Sequence, residues 1–410
     1  MNHHYFLIAG EESGDQLGAG LIHQIREIDK AAQFSGVGGG KMIAAGLNLL
    51  FHQSELAVMG ITEILPRLPQ LLSRIRHVAD EAASARVSAM ITIDSPDFSF
   101  RVARQLRRRL PTIPIVQYVC PSVWAWRRQR VEKMRELFDL VLTLLPFEPD
   151  LLRKAGIAAD FVGHPTAEIK PPGVAAIQRV RDELGLHENG RILLVLPGSR
   201  QTEVMRLSPI FGQVAQDFTR CNSQFQIVVP VGALVQDQVR AETAKWQCEI
   251  RHFCTDQYQP DDAALLKTAL FSVADLALAA SGTVTLELAA SSTPSVTAYD
   301  VHILSRLIIS KLLKVKTVAL TNIILDERVI PELLGASCTP QRIGQELEAL
   351  WANPALQERQ IAAGADVMRR LRSPARSSSV AAAEAVIKLV ATRAEMQDNR
   401  SYPLRTGVDH

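Results

Sequence analysis

Two carboxylates three residues apart could carry out acid–base chemistry. Asp94 and Asp97 follow the apolar run Ala89–Ile93, which is typical of a buried strand. A carboxylate at the exit of such a strand is partly removed from water, and desolvation raises its pKa toward the range that a general base needs. Pro96 stiffens the turn between the two. We expect one of the two aspartates to cap the following helix and the other to react.

A second acidic turn, Gly10–Asp15, follows the apolar run Tyr5–Ala9 directly. Its glycines permit a tight turn, and the amides at a helix start can bind an anion. Its three acidic side chains would repel a pyrophosphate, however, and the turn lacks the Gly-x-Gly-x-x-Gly pattern of dinucleotide sites. The turn therefore suits a ligand rich in hydroxyl groups. The alternative is an ordinary helix start in which Ser13 or Asp15 is the N-cap.

Two turns in the second half of the chain suit a nucleoside diphosphate. In Leu196–Glu203, Gly198 lets the backbone approach a ligand and Arg200 offers a forked donor for a phosphate. In Ala280–Glu287, a turn of small and hydroxyl-bearing residues opens a helix whose N-terminus could hold a diphosphate. Glu287 lies about one turn inside that helix and could accept hydrogen bonds from both ribose hydroxyls. Each turn alone is a weak signal, and together they predict a nucleotide site.

Alternating apolar strands and amphipathic helices would position these turns. Such a pattern predicts parallel sheets covered on both faces, in which ligands bind at the carboxyl ends of the strands. The pattern starts again at about Arg191, after the linker-like run Lys170–Gly173. We expect two doubly wound α/β domains at 1–168 and 174–375, a helix at 376–396 that could return to the first domain, and a loose tail at 397–410. The strand candidates are Tyr5–Ala9, Ala89–Ile93, Ile113–Tyr118, Leu140–Leu144, Ile192–Leu196, Gln226–Val231, Leu276–Ala280 and Ser295–Ala298.

Composition excludes several classes of protein. The 410 residues include 45 Lys plus Arg against 43 Asp plus Glu, a net charge of +2 that argues against a general nucleic-acid binder. With 47% hydrophobic and 21% charged residues the chain is not disordered, and no run of about 20 apolar residues predicts a membrane span. The N-terminus has no signal-peptide pattern, and five scattered cysteines fit a reducing cytoplasm. Cys248, His252 and Cys254 lack zinc-ligand spacing, so no metal site is expected.

These turns, together with the tryptophan-rich segment Pro121–Arg127, resemble the lipid-A-disaccharide synthase family of bacterial glycosyltransferases. The resemblance extends from about residue 7 to 335 in family order. The matching segments are Gly10–Asp15, Leu56–Gly60, Asp94–Phe98, Pro121–Arg127, Leu145–Glu148, Gly163–Pro165, Leu196–Arg200 with Glu203-Val204, and Ala280–Glu287.

The resemblance implies a GT-B fold, with two Rossmann-like domains facing each other across a cleft. It implies transfer of 2,3-diacylglucosamine from its UDP derivative to 2,3-diacylglucosamine 1-phosphate (lipid X), giving a β-1',6-linked tetraacyl disaccharide 1-phosphate and UDP. The donor linkage is α and the product linkage β, so the reaction inverts configuration. It needs a base for the acceptor hydroxyl and stabilisation of the departing diphosphate. Basic side chains and helix dipoles would supply the latter, without a metal or other cofactor.

The resemblance also assigns roles to single residues. Asp94 matches the family's base, with Asp97 as the alternative, and two departures occur: Thr321 stands where proline is common and Gly335 where glutamine is usual. The acceptor-binding candidates of the N-terminal domain are Glu11, Ser13, Gly14, Asp15, Ser122 and Trp124. The nucleotide-binding candidates of the C-terminal domain are Gly198, Ser199, Arg200, Ser281, Gly282, Thr283, Glu287 and Asn322.

A membrane contact is expected because both substrates would carry acyl chains. Residues 61–75 place apolar side chains on one helix face, residues 303–313 form a second apolar stretch, and ten basic residues lie between Arg101 and Arg135 against one acid. We expect a cytoplasmic enzyme held peripherally at the inner membrane, although an amphipathic stripe most often faces the core. The predicted contact residues are Ile64, Leu65, Leu68, Leu71, Leu72 and Ile75.

Three other functions compete with this one. A different GT-B enzyme, such as a UDP-N-acetylglucosamine transferase or epimerase, would share the nucleotide turns but not Pro121–Arg127. A dinucleotide-dependent oxidoreductase would rely on Gly36–Gly40, an incomplete motif, and a non-catalytic nucleotide- or lipid-binding module would not need both Asp94 and Asp97. The sequence leaves the oligomeric state open, a homodimer included.

Overall fold

The computed structural model describes residues 3–56, 61–121, 129–186, 190–232, 235–255, 257–300 and 317–401, without the side chains of 61–68, 129, 260–261 and 397–401. The chain divides into two compact units. The first comprises Met1–Pro165 and Arg372–His410, and the second comprises Thr166–Leu371. Each unit is built on its own parallel sheet.

The sheet of the first unit has seven strands in the order β3-β2-β1-β4-β5-β6-β7. The chain adds β2 and β3 on one side of β1 and then returns to place β4 on the other side, so the direction of growth reverses between β1 and β4. Ligands of doubly wound sheets bind at such a reversal. The strands are β1 (His4–Ala9), β2 (Gln33–Gly38), β3 (Asn48–His52), β4 (Ala89–Ile93), β5 (Ile115–Tyr118), β6 (Leu140–Thr143) and β7 (Ala159–Phe161).

Helices cover both faces of this sheet, because successive strand residues point to opposite faces. On β1, Phe6 and Ile8 enter the core beneath α3, α4 and α5, while Tyr5, Leu7 and Ala9 enter the core beneath α1 and α15. These helices are α1 (Glu12–Ile28), α3 (Ile61–Ser84), α4 (Pro96–Arg109), α5 (Gln129–Leu137) and α15 (Ser378–Ser401), and the unit also contains the short helices α2 (Gly40–Ala44) and α6 (Glu148–Lys154).

The sheet of the second unit has six strands in the order β10-β9-β8-β11-β12-β13, so its growth reverses between β8 and β11. Its strands are β8 (Arg191–Leu196), β9 (Phe225–Val231), β10 (Ile250–Cys254), β11 (Leu276–Ala280), β12 (Ser295–Tyr299) and β13 (Glu332–Leu334). Its helices are α7 (Val174–Glu183), α8 (Gln201–Cys221), α9 (Gln236–Thr243), α10 (Pro260–Val273), α11 (Val284–Ala290), α12 (Leu320–Leu325), α13 (Pro340–Ala352) and α14 (Pro354–Leu371).

The C-terminal helix α15 belongs to the first unit. Its buried Ala382 and Val386 share a core with Leu21 of α1. Arg393 of α15 forms an ion pair of 2.5 Å with Asp139, a carboxylate that also accepts a hydrogen bond of 2.6 Å from Arg107. Both apolar and charged contacts therefore hold α15 on this sheet.

The apolar stripe of α3 faces the core at its C-terminal end. Ile75 is only 2% exposed and lies in the core with Val78, and Leu71 is partly buried against the same core. The prediction that Ile75 contacts a membrane is therefore wrong, and Leu71 is also drawn toward the core, because the spacing that makes a helix amphipathic here serves the sheet. Leu72 is 39% exposed. The side chains of Ile64, Leu65 and Leu68 and the whole stretch 303–313 lie outside the described residues.

No helix in the described part of the chain combines the length and the apolar character that a membrane span needs.

Candidate active site

The four turns predicted from the sequence lie at the two points where sheet growth reverses. In the first unit they follow β1 and β4, which are neighbouring strands with Ala9 opposite Ile93. In the second unit they follow β8 and β11, which are also neighbours. The first pair of turns is in close contact, since a Cβ added to Gly10 would lie 2.3 Å from the Ser95 hydroxyl oxygen. Only glycine at position 10 allows this approach.

The turn after β4 has an unusual backbone. Asp94 and Ser95 are both left-handed, with φ of 51° and 45°. The Asp94 amide donates to the Tyr118 carbonyl at 2.9 Å, and the Ser99 hydroxyl donates to the Asp94 carbonyl at 2.9 Å. Left-handed non-glycine residues each cost on the order of 1–3 kcal/mol and persist where the surroundings impose them, often at functional sites. The half-buried Asp94 side chain therefore leaves the strand end in a fixed direction.

Asp97 lies in a different environment. Its side chain is 82% exposed and accepts a hydrogen bond of 2.6 Å from Arg130. Helix α4 begins at Pro96 with Ser95 as N-cap, so the expectation that one aspartate caps this helix is wrong. Proline occupies the first helical position, which fixes the N-cap one residue earlier and leaves Asp97 in the first turn. Of the two carboxylates, Asp94 is the one that is partly removed from water.

The acidic turn after β1 divides into exposed and structural residues. Helix α1 begins at Glu12 with Glu11 as N-cap, so neither Ser13 nor Asp15 takes that position. Asp15 is 3% exposed and accepts hydrogen bonds from the amides of Gly39, Lys41 and Met42 at 2.7, 2.9 and 3.0 Å. It caps the start of α2, and this use of both carboxylate oxygens contradicts an acceptor-binding role for its side chain.

The other residues of this turn differ in accessibility. Gly14 is buried, and a Cβ added there would lie 3.3 Å from that of Ala9, so Gly14 allows α1 to pack closely on β1. Ser13 is exposed and Glu11 is half-buried. A ligand could therefore reach Glu11, Glu12 and Ser13 in this turn, and two of these, Glu11 and Ser13, are predicted acceptor-binding residues.

We expect Asp15→Ala to destabilise the first unit without a specific effect on ligand binding. Removing the carboxylate leaves amides of the α2 start without an acceptor, at a cost of about 3 kcal/mol in the free energy of unfolding. Chemical denaturation followed by circular dichroism measures this loss. The matched control is Glu12→Ala, which removes an exposed carboxylate from the same helix and should change the free energy by less than about 0.5 kcal/mol. A stable Asp15→Ala protein with a raised KM for the acceptor would restore the binding role.

The turn after β8 is organised by Glu203. Gly198 has a φ of 129°, and a Cβ added there would lie 2.6 Å from the Glu203 Cβ. The Glu203 carboxylate accepts hydrogen bonds from the Ser199 amide at 3.3 Å and from the Tyr299 hydroxyl at 3.4 Å. It also lies 3.7 Å from the Arg200 guanidinium. Burial and this carboxylate raise the pKa of Tyr299. Glu203 thus lies beside Arg200, whose side chain remains 47% exposed.

The turn after β11 leaves its tip accessible. Gly282 and Thr283 are exposed, and a Cβ added to Gly282 would meet no atom within 4 Å. The Thr285 hydroxyl donates to the Gly282 carbonyl at 2.8 Å, and the Ser281 amide donates to Ala298 of β12 at 3.3 Å. These bonds give the tip a defined shape at the start of α11.

Glu287 has a basic partner that sequence reasoning missed. The Lys267 ammonium donates to both Glu287 carboxylate oxygens, at 2.8 and 2.9 Å. Lys267 is on α10, twenty residues earlier, and no sequence pattern links the two positions. The ion pair holds the carboxylate in place and leaves each oxygen with a further lone pair for a ligand hydroxyl.

Three further polar residues follow β5, β6 and β7. Cys120, Glu148 and His164 are all buried. Burial and the neighbouring Glu148 raise the pKa of the Cys120 thiol, and burial lowers the pKa of His164 to about 4. Both groups are therefore neutral near pH 7. Among the described residues, no group of three His, Cys, Asp or Glu side chains could hold a metal ion.

Comparison with known families decides between the alternatives. The family model described as lipid-A-disaccharide synthetase matches residues 5–386. This chain belongs to the lipid-A-disaccharide synthase family. It is 44% identical over 382 residues to the lipid-A-disaccharide synthase of Ruegeria pomeroyi, an alignment that covers 93% of this chain and 94% of that protein. Lipid-A-disaccharide synthases are glycosyltransferases.

Solved structures place this lipid-A-disaccharide synthase family member in the GT-B fold. The calicheamicin glycosyltransferase CalG4 matches with a TM-score of 0.56 at 15% identity, covering 95% of this chain and 98% of that one. A UDP-GlcNAc 2-epimerase from Neisseria meningitidis matches with a TM-score of 0.55 at 10% identity, covering 96% and 100%. At these identities the likeness shows the fold alone. The family match therefore favours a lipid-A-disaccharide synthase over the epimerase alternative.

Asn322 was predicted to contact the nucleotide by its resemblance to a lipid-A-disaccharide synthase asparagine. It is completely buried. Its amide nitrogen donates to the Ile330 carbonyl at 2.9 Å and to Glu332 at 3.2 Å, and its oxygen accepts from the amides of Val329 and Ile330 at 2.9 Å each. These contacts contradict a direct nucleotide contact by the Asn322 side chain, which instead shapes the loop before β13. Ser122 and Trp124, in the segment most distinctive of lipid-A-disaccharide synthases, lie outside the described residues.

Proposed function

We propose that this chain transfers 2,3-diacylglucosamine from its UDP derivative to lipid X, giving the β-1',6-linked tetraacyl disaccharide 1-phosphate and UDP. The observation that carries the proposal is the fixed Asp94 turn at the sheet reversal of a chain that belongs to this family. The nucleotide-type turns after β8 and β11 supply the complementary half of the chemistry.

The proposed reaction is a single displacement. The Asp94 carboxylate accepts the proton of the acceptor 6-hydroxyl as that oxygen forms a bond to the sugar C1. The bond from C1 to the diphosphate oxygen breaks on the opposite face, and its electron pair leaves with UDP. Attack opposite to the leaving group converts the α donor linkage to a β product linkage.

The departing diphosphate needs compensation for its growing negative charge. Arg200 is the candidate side chain, because it is exposed at the turn after β8 and carries a forked set of donors. The tip at Ser281, Gly282 and Thr283 offers hydroxyl and amide donors. Glu287, held by Lys267, would accept hydrogen bonds from the ribose hydroxyls.

The acceptor sugar would lie against the turn after β1. Glu11 can accept hydrogen bonds from sugar hydroxyls, and Ser13 can donate or accept them. Both residues closely follow Gly10, whose backbone lies against Ser95, the residue after Asp94.

A defined assay tests the proposed function. The purified protein is incubated with UDP-2,3-diacylglucosamine and lipid X, and UDP release and the mass of the lipid product are followed. We expect UDP and the tetraacyl disaccharide 1-phosphate in equal amounts, with no added metal or other cofactor. UDP release without disaccharide, or conversion of UDP-GlcNAc to an epimer, would contradict the proposal and favour a hydrolase or an epimerase.

We also propose that the enzyme works at the cytoplasmic surface of the inner membrane, which would give access to its acylated substrates. Leu72 on α3 and the exposed Arg101, Arg104 and Arg108 on α4 lie on the same layer of helices. Arginines with this spacing share one helix face and would attract anionic lipid headgroups.

Sedimentation with vesicles that contain anionic lipid tests this surface. We expect Leu72→Ser combined with Arg104→Glu to lower the bound fraction severalfold, with an unchanged melting temperature. The matched control is Ile28→Ser with Lys30→Glu, which alters an exposed apolar and an exposed basic side chain beside α1, on the other face of the sheet. Equal losses in both variants would show that this surface has no specific role.

A further inference from the structure

A buried polar pair lies directly beneath the Asp94 turn and has no part in the mechanism above. Thr92 of β4 and Gln117 of β5 are both completely buried. The Thr92 hydroxyl donates to the Gln117 side-chain oxygen at 2.7 Å. That bond fixes the orientation of the Gln117 amide, so its nitrogen faces the carboxyl ends of the two strands.

Three main-chain carbonyls converge on this nitrogen. The Gln117 amide nitrogen lies 3.1 Å from the carbonyl oxygen of Val119, 3.2 Å from that of Tyr118 and 3.4 Å from that of Asp94. An amide has two donor hydrogens and no other uncharged side chain of this size offers as many. Gln117 therefore ties the exit of β4 to the exit of β5.

The residues tied in this way have strained backbones. Of the three, Asp94 and Val119 are left-handed, with φ of 51° and 75°, and Ser95, which follows Asp94, is left-handed as well, with φ of 45°. The Tyr118 carbonyl provides a second link between the ends of β4 and β5, because it also accepts a hydrogen bond from the Asp94 amide at 2.9 Å. The Tyr118 carbonyl is thus already paired with a main-chain amide and the Asp94 carbonyl with the Ser99 hydroxyl, and the Gln117 amide adds a further donor to each of them.

We propose that Gln117, oriented by Thr92, is a positioning residue that holds Asp94 in its reactive direction. The inference rests on the proposed role of Asp94 as the base. Gln117 does not touch substrate in this proposal and acts only through the main chain of Asp94. Loss of its amide would release the left-handed turn and let the carboxylate move away from the acceptor hydroxyl.

The test is Gln117→Met, which keeps the length of the side chain and removes its hydrogen bonds. We expect kcat to fall about 10- to 100-fold while the KM values for both substrates stay within about twofold, since misplacement of a reacting group by about 1 Å can cost 100-fold in rate. Thr92→Val provides a second variant, which keeps the Gln117 amide but removes its orienting hydroxyl, and should lower kcat about threefold to tenfold in the same pattern. If Gln117→Met fails to fold, the fall in kcat of Thr92→Val is the result that tests the inference.

A double substitution separates positioning from general stability. In an Asp94→Asn background, Gln117→Met should lower the residual kcat by less than about twofold, because there is no base left to position. An undiminished effect in that background, or normal kcat in Gln117→Met itself, would overturn the inference while leaving the base assignment intact. Near-normal turnover of Asp94→Asn alone would instead overturn the base assignment.

The matched control is Thr143→Val on the neighbouring strand β6. Thr143 is also completely buried, and its hydroxyl donates to the Asp160 carbonyl at 3.3 Å. The Thr143→Val variant therefore loses a buried hydrogen bond away from the Asp94 turn. We expect the kcat of this variant to stay within about twofold of that of the unchanged protein. A fall in kcat equal to that of Gln117→Met would assign the effect to general loosening of the sheet.

Discussion

Asp94→Asn should lower kcat about 1000-fold and leave both KM values nearly unchanged, since positioned general bases contribute roughly 100- to 10,000-fold. Asparagine has the same shape as aspartate but cannot take the acceptor proton at neutral pH. The left-handed conformation of residue 94 is also tolerated by asparagine, so the turn should persist. Steady-state UDP release with both acylated substrates measures the effect, and the melting temperature verifies the fold.

Asp97→Asn is the matched control for this substitution. Asp97 is three residues away in the same motif, but its carboxylate is exposed and paired with Arg130. We expect its kcat to fall less than about threefold, because exposed ion pairs contribute little. If Asp97→Asn abolished turnover and Asp94→Asn kept it, the two roles would be exchanged.

The fold could be predicted to the extent that its strands are continuous apolar runs. All eight strand candidates coincide with strands, and β4 and β11 have the predicted bounds. The missed strands are less apolar or shorter. β2 contains Gly36, whose φ of 142° and close approach to the Leu7 carbonyl require a glycine, while β7 and β13 have three residues each. Such strands form because a neighbouring strand offers hydrogen bonds, which local sequence does not record.

The positions of the four turns could be predicted, but the contacts of each side chain could not. Turns at the carboxyl ends of strands are identifiable from the order of strands and helices, and the reversals of both sheets bring four of them into neighbouring pairs. Asp15 and Asn322 are of residue types that often contact ligands. Their side-chain oxygens instead accept hydrogen bonds from main-chain amides, which come close to them only in the folded chain. Lys267 is the opposite case, since an ordinary helical lysine becomes part of the site by reaching Glu287.

The stripe on α3 shows the same limit for surfaces. Hydrophobic spacing indicates that a helix has an apolar face, but it does not indicate what covers that face. Ile75 is covered by the sheet's own core, so its apolar character explains stability rather than membrane binding. Among the α3 side chains that the structure describes, Leu72, on the boundary of the stripe, remains exposed to a partner.

Arg200→Ala should lower kcat about 100-fold and raise the KM for the UDP-sugar several-fold. Loss of one preorganised donor to a developing charge typically costs about 100- to 1000-fold in rate. The guanidinium lies 3.7 Å from Glu203 and is accessible to a diphosphate, whose negative charge increases as the bond to the sugar breaks. Arg200→Lys should recover part of the rate, because an ammonium keeps the charge but not the forked pair of donors. Product inhibition by UDP should weaken in the same order.

Arg220→Ala provides the matched control, since Arg220 lies at the other end of the same helix α8 and is exposed beside Asp217. Its loss removes the same charge from the second unit and should leave kcat, KM and UDP inhibition unchanged within about twofold. A raised KM with normal kcat in Arg200→Ala would mean that Arg200 binds the donor equally in the ground and transition states. The stabilisation of the leaving group would then have to come from the donors at Ser281, Gly282 and Thr283, because they form the other turn at the sheet reversal.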